Sequence, residues 1–381
     1  RAYALCELGI GVACALSPLT FRAVRALYVA LAAGADPASP ALVALQVALG
    51  GLALLPPTVL MGLTLPLLIR HFEARDSSLG RSVGLLYGAN TLGAALGSLT
   101  TGYLILPALG VLHATWAAVG ANFAVAFVGF RLQRFSDLLL PASAGDGRTD
   151  EAVPVATVTP DRRLGVVVLV LLGVGGIVTI ALETVYIHLL AVVAGSTAYA
   201  FALMLFTFLV GLGLGSAVSR AWLKRRPSLP VLLTACELAL AAALLAGVFL
   251  WNQLPEHFAS YASYRMVRDF GAREFVRGIV CCLAMMPPAL CIGAIYPLAM
   301  EGVGRAWPDR RVRAMGTAAA INTLGNIAGA LLGGFVLLPL AGSLRSVHIL
   351  AGVALVLALA AWILARGADR LRSLALLPVV L

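Results

Sequence analysis

The chain has 381 residues, of which 61% are apolar and only 12% charged, with a formal net charge of +10. A soluble globular domain carries about a quarter charged residues, so these figures exclude one. They also argue against a nucleic-acid binder, because the cationic residues lie in short connections between apolar runs rather than on one basic face.

Taken in order, the apolar runs predict ten spanning helices near 2–20, 41–69, 82–107, 111–131, 165–193, 197–219, 230–251, 275–300, 314–340 and 344–365. Each is long enough to cross a ~30 Å hydrocarbon core at ~1.5 Å per residue. Lipid cannot satisfy exposed backbone groups, and the alternating polarity of a barrel strand is missing, so helix is the reading. Thr20–Leu31, with Arg22 and Arg25, reads as an amphipathic piece at the outer interface. A further apolar stretch starts near Leu374.

Basic residues cluster in alternate connections: Arg70, Arg75 and Arg81; Arg134, Arg148, Arg162 and Arg163; Arg220, Lys224, Arg225 and Arg226; Arg305, Arg310, Arg311 and Arg313; and Arg366, Arg370 and Arg372. The connections between them are neutral or mixed in sign. The positive-inside rule places the basic loops in the cytoplasm. Leu138–Pro160, rich in Pro, Ala, Gly and acidic residues, reads as a linker.

The chain also repeats itself. Gly84–Gly93, ending Asn90-Thr91-Leu92-Gly93, aligns with Gly316–Gly325, ending Asn322-Thr323-Leu324-Gly325, at an offset of 232. The match continues through Gly97 and Gly329, Gly102 and Gly334, Leu106-Pro107 and Leu338-Pro339, and Gly110 and Gly342. Upstream, Pro56-Pro57 and Pro66 match Pro287-Pro288 and Pro297 at 231, and Cys6-Glu7-Leu8 matches Cys236-Glu237-Leu238 at 230.

The expected organisation is a first membrane repeat over 1–132, a cytoplasmic linker over 133–164, a second repeat of six helices over 165–366, and the start of another apolar segment over 367–381. The first two helices of the second repeat have no counterpart in the first. Two more helices are therefore expected before Arg1, and the missing initiator Met agrees with a truncated start. An even repeat unit gives halves related by an axis along the membrane normal, the major-facilitator architecture. The predicted fold is thus an all-α, polytopic, major-facilitator-like bundle.

The glycine pairs Gly93/Gly97 and Gly325/Gly329/Gly333, with Gly211/Gly213/Gly215, are expected to let helix backbones approach closely. The paired prolines are expected to kink or break the fourth helix of each half.

Few ionisable groups fall inside the spans. Glu183 lies deep in the run 165–193, and Tyr186 and His188 are its local candidates for a partner. A carboxylate at that depth must face a cavity, find a partner or hold a proton. It therefore reads either as a cation or proton site or as a packing hydrogen bond. Glu7 and Glu237 occupy matching positions about two turns from the cytoplasmic end, within reach of loop arginines. Asn90 and Asn322 match as well, and read as capping or cross-linking helices.

Six cysteines lie in or beside apolar segments without a CxxC pair, so neither a disulfide framework nor a zinc site is expected. No residue pattern calls for a metal or another cofactor. The motifs of hydrolases, metalloproteases and nucleotide binders are also missing, and Gly211-Leu-Gly213-Leu-Gly215 sits in a spanning helix without the strand a dinucleotide fingerprint requires.

Ala181-Leu-Glu183-Thr-Val-Tyr186-Ile-His188-Leu-Leu-Ala, then Gly195-Ser196, then Phe208-Leu-Val-Gly211-Leu-Gly213-Leu-Gly215-Ser216, resembles the membrane region of bacterial spermidine-synthase-like fused proteins. So does Leu86-Tyr87-Gly-Ala-Asn90-Thr91-Leu92-Gly93-Ala-Ala-Leu-Gly97 with its Leu106-Pro107-x-x-Gly110 ending. The family usually has Trp and Arg where Tyr186 and His188 stand. The resemblance implies a facilitator-like membrane region followed by a cytoplasmic aminopropyltransferase-like domain, whose residues this chain does not contain.

The expected function is therefore that of an integral domain of the bacterial inner membrane that transports a small cation such as a polyamine, or serves as an anchor. The alternatives are a non-transporting subunit of a membrane complex and the membrane part of a longer aminopropyltransferase. The expected partners are the lipid bilayer, a small cationic substrate and other membrane subunits, with no nucleic acid.

Overall fold

A computed structural model describes residues 1–36, 39–73, 79–139, 162–195, 197–224, 228–261 and 269–364. Most of the linker and the apolar segment 367–381 lie outside the described residues, as do Arg75, Arg148, Arg225, Arg226, Arg366, Arg370 and Arg372.

The helices are α1 (Ala2–Ala32), α2 (Pro40–Glu73), α3 (Leu79–Thr100), α4 (Leu106–Leu139), α5 (Arg162–Ala194), α6 (Ala198–Lys224), α7 (Leu229–Tyr261), α8 (Phe270–Ala306), α9 (Arg311–Leu332) and α10 (Leu338–Leu364). No strand occurs among the described residues. Eight helical stretches are long and apolar enough to cross a membrane. The chain is an all-α, multi-pass membrane protein.

Two of those stretches, Gly88–Leu132 with 45 residues and Arg313–Leu364 with 52, exceed one crossing. At ~1.5 Å per residue each would extend about 70 Å or more, over twice the hydrocarbon thickness. Each is interrupted by a glycine that no other residue replaces comfortably: Gly110 has φ 69° and ψ 174°, and Gly342 has φ 74° and ψ 172°. Each glycine is preceded by a π-helical turn, Thr101–Ile105 and Gly333–Leu337. Both the breaks and the π turns recur 232 residues apart.

Two expectations change. Thr20–Leu31 is not a separate interfacial piece, because α1 continues to Ala32. Pro18 removes the amide that would bond the Cys14 carbonyl, and Ser17 Oγ donates to that carbonyl at 2.7 Å instead, so the helix passes through. The far end of α1 is tied to α2 by Gln46 Nε2 donating to Tyr28 Oη at 3.1 Å. The paired prolines do not break their helices either. α2 runs through Pro56-Pro57, and α8 runs through Pro287, Pro288 and Pro297. A membrane helix tolerates proline where neighbours satisfy the freed carbonyl.

The chain divides into two compact units, Arg1–Asn90 with Leu104–Glu151, and Thr91–Tyr103 with Ala152–Leu381. In the first, α1 packs on α2 and α4. Gly9 receives the Leu60 side chain and Gly11 receives Phe123.

In the second unit, α7 packs on α8 and α10, while α5 lies on α9 and α6 on α8. The last two seams are built by backbone contact. Gly325 of α9 abuts the Gly173 carbonyl of α5, and Gly333 abuts Ala181. Between them, a methyl on Gly329 would sit 2.5 Å from the Ile177 carbonyl oxygen. The register advances four residues at a time on both sides, so the helices run parallel. The α6–α8 seam repeats the pattern: Gly211 abuts Ala289, Gly215 abuts the Leu290 carbonyl, and Gly293 abuts Leu212.

That register also sorts the charges. α5 and α9 begin with Arg162-Arg163 and Arg311-x-Arg313, whereas α6 and α8 finish with Arg220, Lys224 and Arg305. All of these fall at one end of the second unit. There Glu301 Oε1 accepts from Arg305 Nε at 3.0 Å, and its Oε2 lies 3.5 Å from Arg311 Nη2. Side chains such as Phe249, Phe275 and Leu340 face outward, each at least 70% exposed.

Replacing Gly342 by Ala should cost about 1–3 kcal/mol, because a side chain is strained at that backbone geometry. Thermal unfolding in detergent measures it, and Gly352→Ala, in a regular stretch of α10 with open space around it, should cost nothing measurable.

Candidate site at the intramembrane carboxylates

Glu237 sits about two turns into α7, and its residue is 1% exposed. Cys236 and Cys291 lie beside it. Its Oε2 has no hydrogen-bond partner among the described residues. The ion pair with loop arginines expected from its position is not made among the described residues. Glu7, at the matching place in α1, is half-buried and hydrogen-bonds Tyr3 one turn away. The position matching Tyr3 is Leu233, so Glu237 has no such donor.

Glu183 is half-buried in α5, with no hydrogen-bond or ion-pair partner among the described residues. Neither neighbour proposed for it turns its way. Tyr186 is fully buried, its ring 6.1 Å from that of Trp251. Its hydroxyl donates to the Ala284 carbonyl of α8 at 3.4 Å. That is the carbonyl left without its amide by Pro288, four residues on, so Tyr186 repairs a neighbouring helix. His188 is exposed, with Nδ1 3.0 Å from Ser343 Oγ of α10.

Asn90 and Asn322 occupy the interiors of α3 and α9 and cap neither helix. Asn90 is exposed. Asn322 is half-buried against α5, where a methyl on Gly176 would stand 2.6 Å from its carbonyl oxygen and 2.9 Å from Asn326 Oδ1. Gly176 and Glu183 are seven residues apart, so they share one face of α5. The matched asparagine and the carboxylate thus belong to the same helix pair, about two turns apart along α5.

The ends of α5, α7 and α10 away from the basic cluster flank an open cleft of about 430 Å³ lined by Trp251, Asn252, Ser343 and Arg345 among others. None of the three carboxylates lines it. Among the described residues no three His, Cys, Asp or Glu side chains gather as a metal would require.

Protein-family models, curated proteins and solved structures give no match to this chain.

The sequence reading missed one buried charge. Glu274 stands in a segment of mixed sign, Asn252–Glu274, that reads as a connection. In the structure it lies in the first turns of α8 and is 9% exposed. Arg277 pairs with it closely, Arg273 Nε stands 3.6 Å away, and Tyr103 donates to its Oε2 at 2.7 Å. Tyr199 packs between Tyr103 and Phe270, tilted to the first and edge-on to the second, with ring centroids 5.1 and 5.2 Å away. Asp269 accepts from the Ala272 amide at 3.0 Å and caps the helix. An Asp followed five residues later by Glu and then by Arg at i+3 is the signal that would have marked a helix start here.

Tyr186→Phe should lower stability by about 1 kcal/mol by leaving the Ala284 carbonyl without a donor, whereas His188→Ala should lie within about 0.5 kcal/mol of the parent. Denaturation of the detergent-solubilised protein distinguishes the two.

Proposed function

We propose that this chain is the membrane region of a spermidine-synthase-like protein and that it moves a small organic cation, of the polyamine class, across the bacterial inner membrane. The observation that carries the reading is Glu237, a carboxylate buried in a helix bundle with an oxygen that nothing among the described residues satisfies. An isolated carboxylate inside a membrane bundle costs several kcal/mol unless a proton or a cation accompanies it. Structural carboxylates in the same protein are paired, as Glu274 and Glu301 are. Glu237 and Glu183 are not, which suits groups that exchange partners during a cycle.

The fold reading is that of two facilitator-like halves produced by duplication. Three matched features support it: the π turns, the positive-φ glycines, and the packing of α1 on α2 and α4 beside that of α7 on α8 and α10. The basic end of the second unit is assigned to the cytoplasm.

Reconstituted in proteoliposomes, the protein should take up labelled polyamine. Glu237→Gln and Glu183→Gln should each reduce the rate about tenfold, the equivalent of losing one charge-assisted interaction. Glu7→Gln should change it less than twofold. Unchanged flux in both Glu183→Gln and Glu237→Gln overturns the site. A folded protein that moves no polyamine leaves the anchoring role. For sidedness, a single cysteine at Arg305 should react with a membrane-impermeant maleimide only in inside-out vesicles.

A further inference from the structure

The cleft at the ends of α5, α7 and α10 has no part in the transport site proposed above. It lies where the 52-residue apolar stretch Arg313–Leu364 is broken at Gly342. Two crossings meet at that break, so the cleft sits at a face of the membrane, at the depth of lipid headgroups. Its volume of about 430 Å³ is that of a small-molecule site. Trp251 and Asn252 line it from α7, and Ser343 and Arg345 from α10.

Its polar groups are biased towards donors. Trp251 is 2% exposed, and its indole Nε1, which can only donate, has no acceptor among the described residues. Arg345, also a donor only, is exposed and forms no ion pair among the described residues. Arg273 and Arg277, at the same end of the unit, are paired with Glu274. No Asp or Glu lines the cleft. The Asn252 amide and the Ser343 hydroxyl, 3.0 Å from His188 Nδ1, can add further donors. The helical path also restarts after Gly342. Residues 343–345 are thus a helix N-terminus, whose first amides lack a carbonyl in their own helix and favour an anion. The preceding segment ends at the same place, and its last carbonyls would suit a cation. Arg345 decides against one, and the Gly342 carbonyl is already taken by Ser346 Oγ at 2.6 Å.

We infer that this cleft binds a phosphate-group anion at the membrane face away from the basic helix ends, with the Arg345 guanidinium and the Trp251 indole N–H donating to its oxygens. A phosphate presents oxygens in several directions, so donors arriving from two helices can each take one. A carboxylate has two oxygens in one plane, which the Arg345 fork alone can engage. The phosphate is either a free anion or part of a lipid headgroup. The apolar side of the cleft, Leu189, Val192 and Leu344, suits a glyceride attached to it. Glu183 and Glu237 have no role in this site, so it stands or falls apart from the transport reading.

The protein, purified in a maltoside detergent, is titrated with inorganic phosphate and separately with dioctanoyl phosphatidylglycerol. Tryptophan emission and the midpoint of thermal unfolding are followed. At least one probe should change the emission saturably and raise the midpoint. A response to inorganic phosphate assigns a free anion and a response to the lipid alone assigns a headgroup; either supports the site. Arg345→Gln should weaken the apparent Kd about tenfold or more, the loss of one charge-assisted hydrogen bond, and Arg345→Lys should recover part of it. Arg220→Gln, at the opposite end of the unit, should leave it unchanged. Trp251→Phe should remove the emission change and weaken the affinity read from the midpoint. Where that variant does not accumulate, Asn252→Ala, at an exposed position, supplies the second substitution in α7. An equal response to dioctanoylglycerol, or to chloride at matched ionic strength, would show an apolar or bulk-salt effect and overturn the proposal. No response to either phosphate-bearing probe, or an Arg345→Gln variant that binds like the parent, would overturn it too.

Discussion

Close approach of helix backbones at glycine is the contact on which the second unit depends. In lipid there is no hydrophobic drive to bring helices together, since acyl chains are as apolar as leucine. Association must come from dispersion between surfaces that fit better against each other than against lipid. A four-residue glycine spacing gives that fit, because it removes every Cβ along one stripe and turns a ridge into a groove. Gly325, Gly329 and Gly333 do this for α5 on α9, and Gly211, Gly215 and Gly293 do it for α6 on α8. These parallel seams place four basic helix ends together, so the topological signal in the arginines follows from the packing register.

Backbone polar groups follow a different economy from carboxylates. Where proline removes an amide, a nearby hydroxyl replaces it: Ser17 for the Cys14 carbonyl, and Tyr186 for the Ala284 carbonyl. Glu274 and Glu301 are likewise held by arginines near the helix ends. These groups are satisfied, although the buried Trp251 Nε1 has no hydrogen-bond partner among the described residues. Against that pattern the bare oxygen of Glu237 and the unpaired Glu183 are conspicuous, since a leucine at either place would remove the cost altogether. Their presence inside the bundle is the observation on which the proposed role rests.

The matched positions also differ in informative ways. Glu7 has Tyr3 as a donor, and Glu237 has Leu233 in its place. Thr101 opens one π turn and Gly333 the other, and Gly333 alone must admit Ala181 of α5. Backbone devices such as the π turn and the positive-φ glycine recur, whereas the hydroxyl that serves Glu7 does not.

By itself the sequence determined the membrane class and the approximate course of the helices, though not the length of α1 or the role of Gly110 and Gly342 as the points where the helical path breaks. Class and course both depend on a local fact, apolar length against bilayer thickness. It also pointed to Glu183, Glu7 and Glu237, because an acidic residue inside an apolar run is legible without a fold. Only tertiary structure decided what those residues meet. The Tyr186 hydroxyl serves Ala284 some ninety-eight residues away, His188 meets Ser343, and Glu274 gains Tyr103 from the π turn after α3. Partners so far apart in sequence are chosen by which helices pack together, and that choice is made by shape along the seams, which no local pattern encodes.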